Sequence, residues 1–123
     1  MNELQYDSAD IVVEWLKKHG FSGYTEYSFS DLKGDYFPLR FDIYLPDYNL
    51  CIEVDGQQHY RACRNDSVDA FLKKREYARR KEAYCFNHNI RLIRIVYDEL
   101  NYLDQTLDFL LKEQAARNNS PQS

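Results

Sequence analysis

Apolar and polar residues alternate with a period of two on both sides of a short polar break, PDYN, in the stretch FDIYLPDYNLCIEVD (residues 41–55). Placing a turn between Asp47 and Tyr48 makes Leu45 face Leu50, Ile43 face Ile52 and Phe41 face Val54. One side of the hairpin is then wholly apolar. The other side pairs Tyr44 with Cys51, Asp42 with Glu53 and Arg40 with Asp55. A slip of one residue would mix the two faces, so the apolar set selects this register. Pro46, Asp47 and Asn49 are turn formers, which agrees.

The rest of the pattern is read in the same way. Asp7 or Ser8 can cap a helix in which Ile11, Val12, Trp15 and Leu16 follow helical spacing, and Gly20 closes it. Residues 24–29 alternate like a strand, and Gly34 and Pro38 mark 30–38 as a loop. After the polar stretch 61–67, Asp66 or Ser67 can cap a long helix reaching about Asn89. Residues 90–97, IRLIRIVY, are β-branched and strand-like. A last helix over 98–115 lines up Leu100, Leu103, Leu107, Leu110 and Leu111. The order predicts an α/β (α+β) fold, αβββαβα, with a mixed central sheet flanked by helices. One domain would span 1–116, with 117–123 as a flexible tail.

Composition changes this picture little. With 123 residues, 44% of them hydrophobic, the chain can bury a core without disulfides or a structural metal. Its apolar runs are too short to span a membrane. The start, MNELQYDSAD, lacks the basic and apolar regions of an export signal. Cys51, Cys63 and Cys85 are odd in number, which suits reduced thiols in a cytoplasmic protein. Charge matters more. The net charge is −4, yet residues 73–94 carry +6 and the remainder −10. A basic band on an acidic body suits either a solvated helix face or a surface that follows phosphates. Lys74, Arg75, Arg79, Arg80, Arg91 and Arg94 are its candidates for contacting DNA.

The hairpin poses a chemical problem. Carboxylates directly opposite one another have Cβ atoms ~5 Å apart and repel. A divalent cation would offset that repulsion, because Mg²⁺ is typically held by one or two carboxylates with phosphate and water. An exposed pair with Asp55 neutralised by Arg40, or a shared proton, are the bland alternatives. His59 follows the acid-bearing strand closely and suits a general base or proton shuttle; it is otherwise a surface histidine. On the long helix, Phe71, Lys74, Ala78, Lys81 and Cys85 form one stripe facing the sheet. Lys81 therefore either reaches the carboxylates or snorkels to water.

The segments LRFDIYLPDYNLCIEVDGQQHY and KEAYCFNHNIRLIRIVY resemble the PD-(D/E)xK nuclease superfamily. Within it, they are most similar to the very-short-patch-repair-like, phage-associated EDxHD homing endonucleases. That resemblance spans about 24–97 and implies a restriction-endonuclease-like core and Mg²⁺- or Mn²⁺-dependent DNA hydrolysis in a bacterial host cell. By position it implies site residues Glu26, Asp42, Glu53, Asp55, His59 and Lys81, with Asp42, Glu53 and Asp55 as metal ligands. Where the pattern has a helix aspartate, three residues before Lys81, this chain has Ala78. Natural drift or a deliberate exchange would both leave a weakened nuclease. The alternative is a non-catalytic module on the same fold that binds nucleic acid or protein. DNA is the expected partner, and symmetric double-strand cutting would need a homodimer.

Overall fold

The computed structural model describes residues 8–55 and 67–119. Helix α1 (Ser8–Lys18) buries Val12 and Leu16, and the chain leaves it through Gly20 at φ +83°, a conformation glycine adopts without steric cost. Strands β1 (Tyr24–Lys33), β2 (Pro38–Leu45) and β3 (Leu50–Asp55) follow. Helix α2 (Val68–Asn87) crosses over to β4 (Arg91–Val96), and α3 (Leu107–Asn119) ends the described chain. The sheet has the order β1-β2-β3-β4. Its first two pairings are antiparallel and β3–β4 is parallel, as a helical crossover requires. This is an α+β domain with a four-stranded mixed sheet flanked by helices. No helix among the described residues is long and apolar enough to cross a membrane.

Several expectations hold. The hairpin register is the expected one at Ile43↔Ile52, Tyr44↔Cys51 and Leu45↔Leu50. The turn between the strands is a short 3-10 segment, Pro46–Tyr48, closed by Asn49 at φ +51°. Ser67 caps α2, its Oγ accepting from the Ala70 N–H at 3.0 Å. Cys51 and Cys85 are buried free thiols, while Cys63 lies outside the described residues.

Other boundaries differ. Strand β1 continues to Lys33, because Leu32 is buried and Lys33 pairs with Pro38, leaving only residues 34–37 as the turn. The last helix begins late: Tyr97–Tyr102 is a 3-10 segment in which the Glu99 carboxylate accepts from the Val96 N–H at 2.9 Å. Helix α3 then runs three residues past the expected domain end at 116, so the tail set at 117–123 is helical through Asn119. Leu103, Leu107 and Leu111 keep the predicted stripe, which ends in buried Gln114 donating to the Tyr48 carbonyl at 2.9 Å.

The sheet separates two apolar clusters. Toward α1 and α3 lie Val12, Leu16, Ile43, Leu45, Leu50, Ile52, Val54, Ile93, Ile95 and the leucines of the C-terminal stripe. Beneath α2 lie Leu32, Leu39, Phe41, Cys51 and Cys85, with Phe29, Tyr44, Tyr77 and Tyr84 packed against them. Phe41 is thus not on the Ile43 face as expected. It shares a cluster with Tyr44, three residues away, so the alternation of β2 changes phase at Asp42. Strand β1 does the same: the Tyr24 and Tyr27 rings are 5.4 Å apart, and Glu26 between them has φ +48°. A left-handed residue inside a strand turns the following side chains to the other face. Phe71 also departs from expectation, being 42% exposed beside exposed Val68 and Leu72, so α2 reaches the second cluster only from Tyr77 onward.

Candidate functional site

The phase change is where the candidate acids sit. Beyond Ile43↔Ile52, the Val54 N–H donates to Oδ2 of Asp42 at 2.7 Å. A side-chain oxygen thus stands where a strand would offer a backbone carbonyl, which fixes the Asp42 carboxylate between β2 and β3. Glu26 lies opposite Asp42 across β1, bracketed by Thr25↔Ile43 and Tyr27↔Phe41. Its own side chain is exposed and takes Arg40 Nη1 at 3.3 Å.

Glu53 follows Cys51 on the α2-facing side of β3. Its side chain is 13% exposed, and the equally enclosed Lys81, 17% exposed, places Nζ 3.3 Å from Glu53 Oε2. Lys81 therefore points inward, as its place on the helical stripe predicted, and its ammonium also stands 5.5 Å over the Phe41 ring centroid. Burial pushes the Glu53 carboxyl above its ordinary value, and the Asp42 charge pushes it further. Lys81 and Arg94 pull it back without cancelling the rise. The repulsion expected between Asp42 and Glu53 is thus present, but Lys81 outweighs it, and burial is what keeps the carboxyl raised.

Asp55 ends β3 on the same side as Glu53, in register with Val96 of β4. Among the described residues, no three His, Cys, Asp or Glu side chains converge to hold a metal ion. The three-carboxylate set expected from the sequence is therefore not assembled there. What is assembled is two carboxylates and a lysine. His59 lies outside the described residues. Ala78 sits part-buried one turn before Lys81.

A cleft of about 780 Å³ opens at this point. Asp10, Glu14 and Lys17 of α1 form one wall, Glu26 and Asp42 the floor, and Tyr77 and Lys81 of α2 the other wall. The α1 wall was not anticipated. Asp10, Glu14 and Lys17 recur at spacings of four and three, a legible helical stripe, but one that reads as an ordinary solvated face.

The basic band is less uniform than its sequence. Arg79 and Arg80 both bond Glu76 at 3.0 Å, and Arg94 bonds Glu82 at 3.3 Å. Arg91 turns toward α3 and bonds Glu113 at 3.0 Å. Lys74 and Arg75 remain exposed on α2, the Arg75 guanidinium 5.9 Å from the Phe71 ring. The chain matches no protein-family model, no curated protein and no solved structure.

Proposed function

We propose that this chain is a Mg²⁺- or Mn²⁺-dependent endodeoxyribonuclease on a restriction-endonuclease-like core, akin to the very-short-patch-repair-like and EDxHD homing enzymes of the PD-(D/E)xK superfamily. The observation that carries this reading is the meeting of Asp42, Glu53 and Lys81, delivered by β2, β3 and α2: Asp42 and Lys81 line one cleft, and Glu53 stands behind them, bonded to Lys81 and felt by the Asp42 charge. Hard carboxylate oxygens, two in number and short of positive charge, suit a divalent ion that keeps its other positions for water and phosphate.

In this reading Asp42 and Glu53 hold the ion. When bound, it polarises the phosphoryl oxygens and acidifies water. Asp42 is oriented by the Val54 N–H, so the carboxylate is positioned before any ion arrives. Lys81 keeps Glu53 ionised and in place, and its ammonium lies near enough to the cleft to offset charge building on the scissile phosphate. Proton transfer is assigned to His59 on the strength of the sequence resemblance alone. Lys74, Arg75 and the outward-facing arginines of α2 position the backbone without reading bases. Cutting both strands would take two such sites, most simply from two copies of the chain.

The test uses plasmid DNA and the Ala78→Asp variant, which restores the carboxylate of the resembling pattern. Nicking should appear with Mn²⁺ or Mg²⁺. It should fall by roughly a hundredfold or more when Asp42→Asn or Glu53→Gln is added, since these remove the oxygens that hold the ion. A folded Ala78→Asp protein that never nicks would overturn the proposal. Ala78 itself favours a second reading, a non-catalytic module on the same fold; salt-sensitive DNA binding without cleavage by that variant would select it.

A further inference from the structure

The turn between β1 and β2, residues 34–37, carries two large rings into water: Tyr36 is 93% exposed and Phe37 55%. Rings so placed add little to the core, yet the backbone beneath them is held firmly. The Gly34 N–H donates to the Phe37 carbonyl at 2.7 Å, and the Asp35 N–H to the Tyr77 hydroxyl at 3.0 Å. The Asp35 carboxylate takes Lys73 Nζ at 2.5 Å and Arg80 Nη2 at 3.4 Å, while Arg80 Nη1 donates to the Lys33 carbonyl at 3.1 Å. Gly34 allows the close approach: a Cβ there would come 3.0 Å from Leu39 Cδ2 and 3.1 Å from Tyr77 Cζ. The turn is thus bolted flat onto α2, and Phe37 continues into the wall of the cleft that holds Asp42 and Lys81.

We propose that Tyr36, supported by Phe37, forms a base-stacking subsite for an unpaired nucleobase beside the cleft. The inference rests on the nuclease reading of that cleft and names its substrate as DNA with an unstacked base. An exposed base π-face stacks on an aromatic side chain whatever its sequence. Lys74 and Arg75, exposed along α2, supply the positive charge that a strand's phosphates need; Lys73 and Arg80 beneath the turn serve to hold Asp35. A backbone fixed in advance loses little conformational freedom when its exposed ring binds, which explains why so many bonds secure so short a turn.

The test is binding of a single-stranded oligonucleotide containing 2-aminopurine, at low salt, to the chain as it stands. The 2-aminopurine fluorescence should be quenched. Tyr36→Ala, which circular dichroism should show folded because the ring is exposed, should bind about tenfold more weakly and lose the quench. Tyr36→Trp should restore both. Salt-sensitive binding without quenching, or Tyr36→Ala binding like the parent, overturns the subsite and leaves the nuclease reading standing. A quench lost with Tyr36→Ala, in a chain whose Ala78→Asp variant never nicks DNA, upholds the subsite while the nuclease reading falls. A folded chain that binds no oligonucleotide overturns both.

Discussion

The two sides of the sheet are built to different ends. The face under α1 and α3 is aliphatic at its buried centre, leucine, isoleucine and valine, with the rings of Trp15, Phe21 and Tyr48 and the buried amide of Gln114 at its margin. The face under α2 is aromatic and sulfur-bearing, and it encloses a lysine and a glutamate at its edge. Aliphatic packing yields stability and tolerates no charge, whereas aromatic rings and thiols can border a charge without losing their contacts. The first face is where the fold gets its stability, and the second is where the chain keeps reactive groups in place.

That contrast can be broken at four points, taken from the largest expected effect. Ile52→Ala empties the centre of the aliphatic face and should lower unfolding free energy by about 2–5 kcal/mol in urea titration. A comparable loss from Cys51→Ala, its neighbour facing α2, would erase the distinction. Next comes Lys81→Ala, which leaves an enclosed Glu53 carboxylate without its cation and should cost about 3 kcal/mol at neutral pH. Its pH dependence has a definite sign. A carboxyl raised above its ordinary 4.5 favours the folded state below that value, and this contribution is lost as pH rises through the raised value. Lys81→Ala should therefore approach the parent's stability near pH 4 and diverge from it toward pH 7. An undiminished deficit at pH 4 would show that Lys81 acts through packing alone.

Asp42 allows a finer cut. Asp42→Asn keeps an oxygen for the Val54 N–H and should change stability little, whereas Asp42→Ala leaves that amide unsatisfied and should cost about 1 kcal/mol more. Equal stabilities for the two variants would mean that water replaces the carboxylate in the gap. The smallest effect belongs to Asp35. Lys73 holds its carboxyl below the ordinary 3.8, so the clamp contributes above that value and fades as pH falls through the lowered one. Protection of the Asp35 amide against hydrogen exchange, taken relative to its intrinsic rate at each pH, should fall under acid and equally in Asp35→Asn at neutral pH, with global stability nearly unchanged.

Much of this was legible in the chain, and the remainder was hidden for definite reasons. The hairpin register could be read because Ile43, Leu45, Leu50 and Ile52 admit one alignment around a turn rich in Pro, Asp and Asn. Lys81 could be placed because it shares a helical stripe with Cys85. The same stripe misled at Phe71, since periodicity gives direction but not the point where the sheet beneath a helix ends. The phase change at Asp42 lies opposite the left-handed backbone of Glu26, and no local composition announces either. Part of the pairing in the basic band was hidden because Glu113 and Asp35, which take Arg91 and Lys73, come from distant segments, whereas Glu76 and Glu82 lie within the band itself.

The left-handed residue in β1 has one more effect. Among the described residues this strand forms an outer boundary of the sheet, and its ladder is broken at Glu26 and shifted again between Ser28 and Lys33. A straight ten-residue border would offer its amides and carbonyls to any passing strand. Bent in two places, β1 has no long flat run to offer. The bend opposite Asp42 therefore also guards the molecule against lateral self-association.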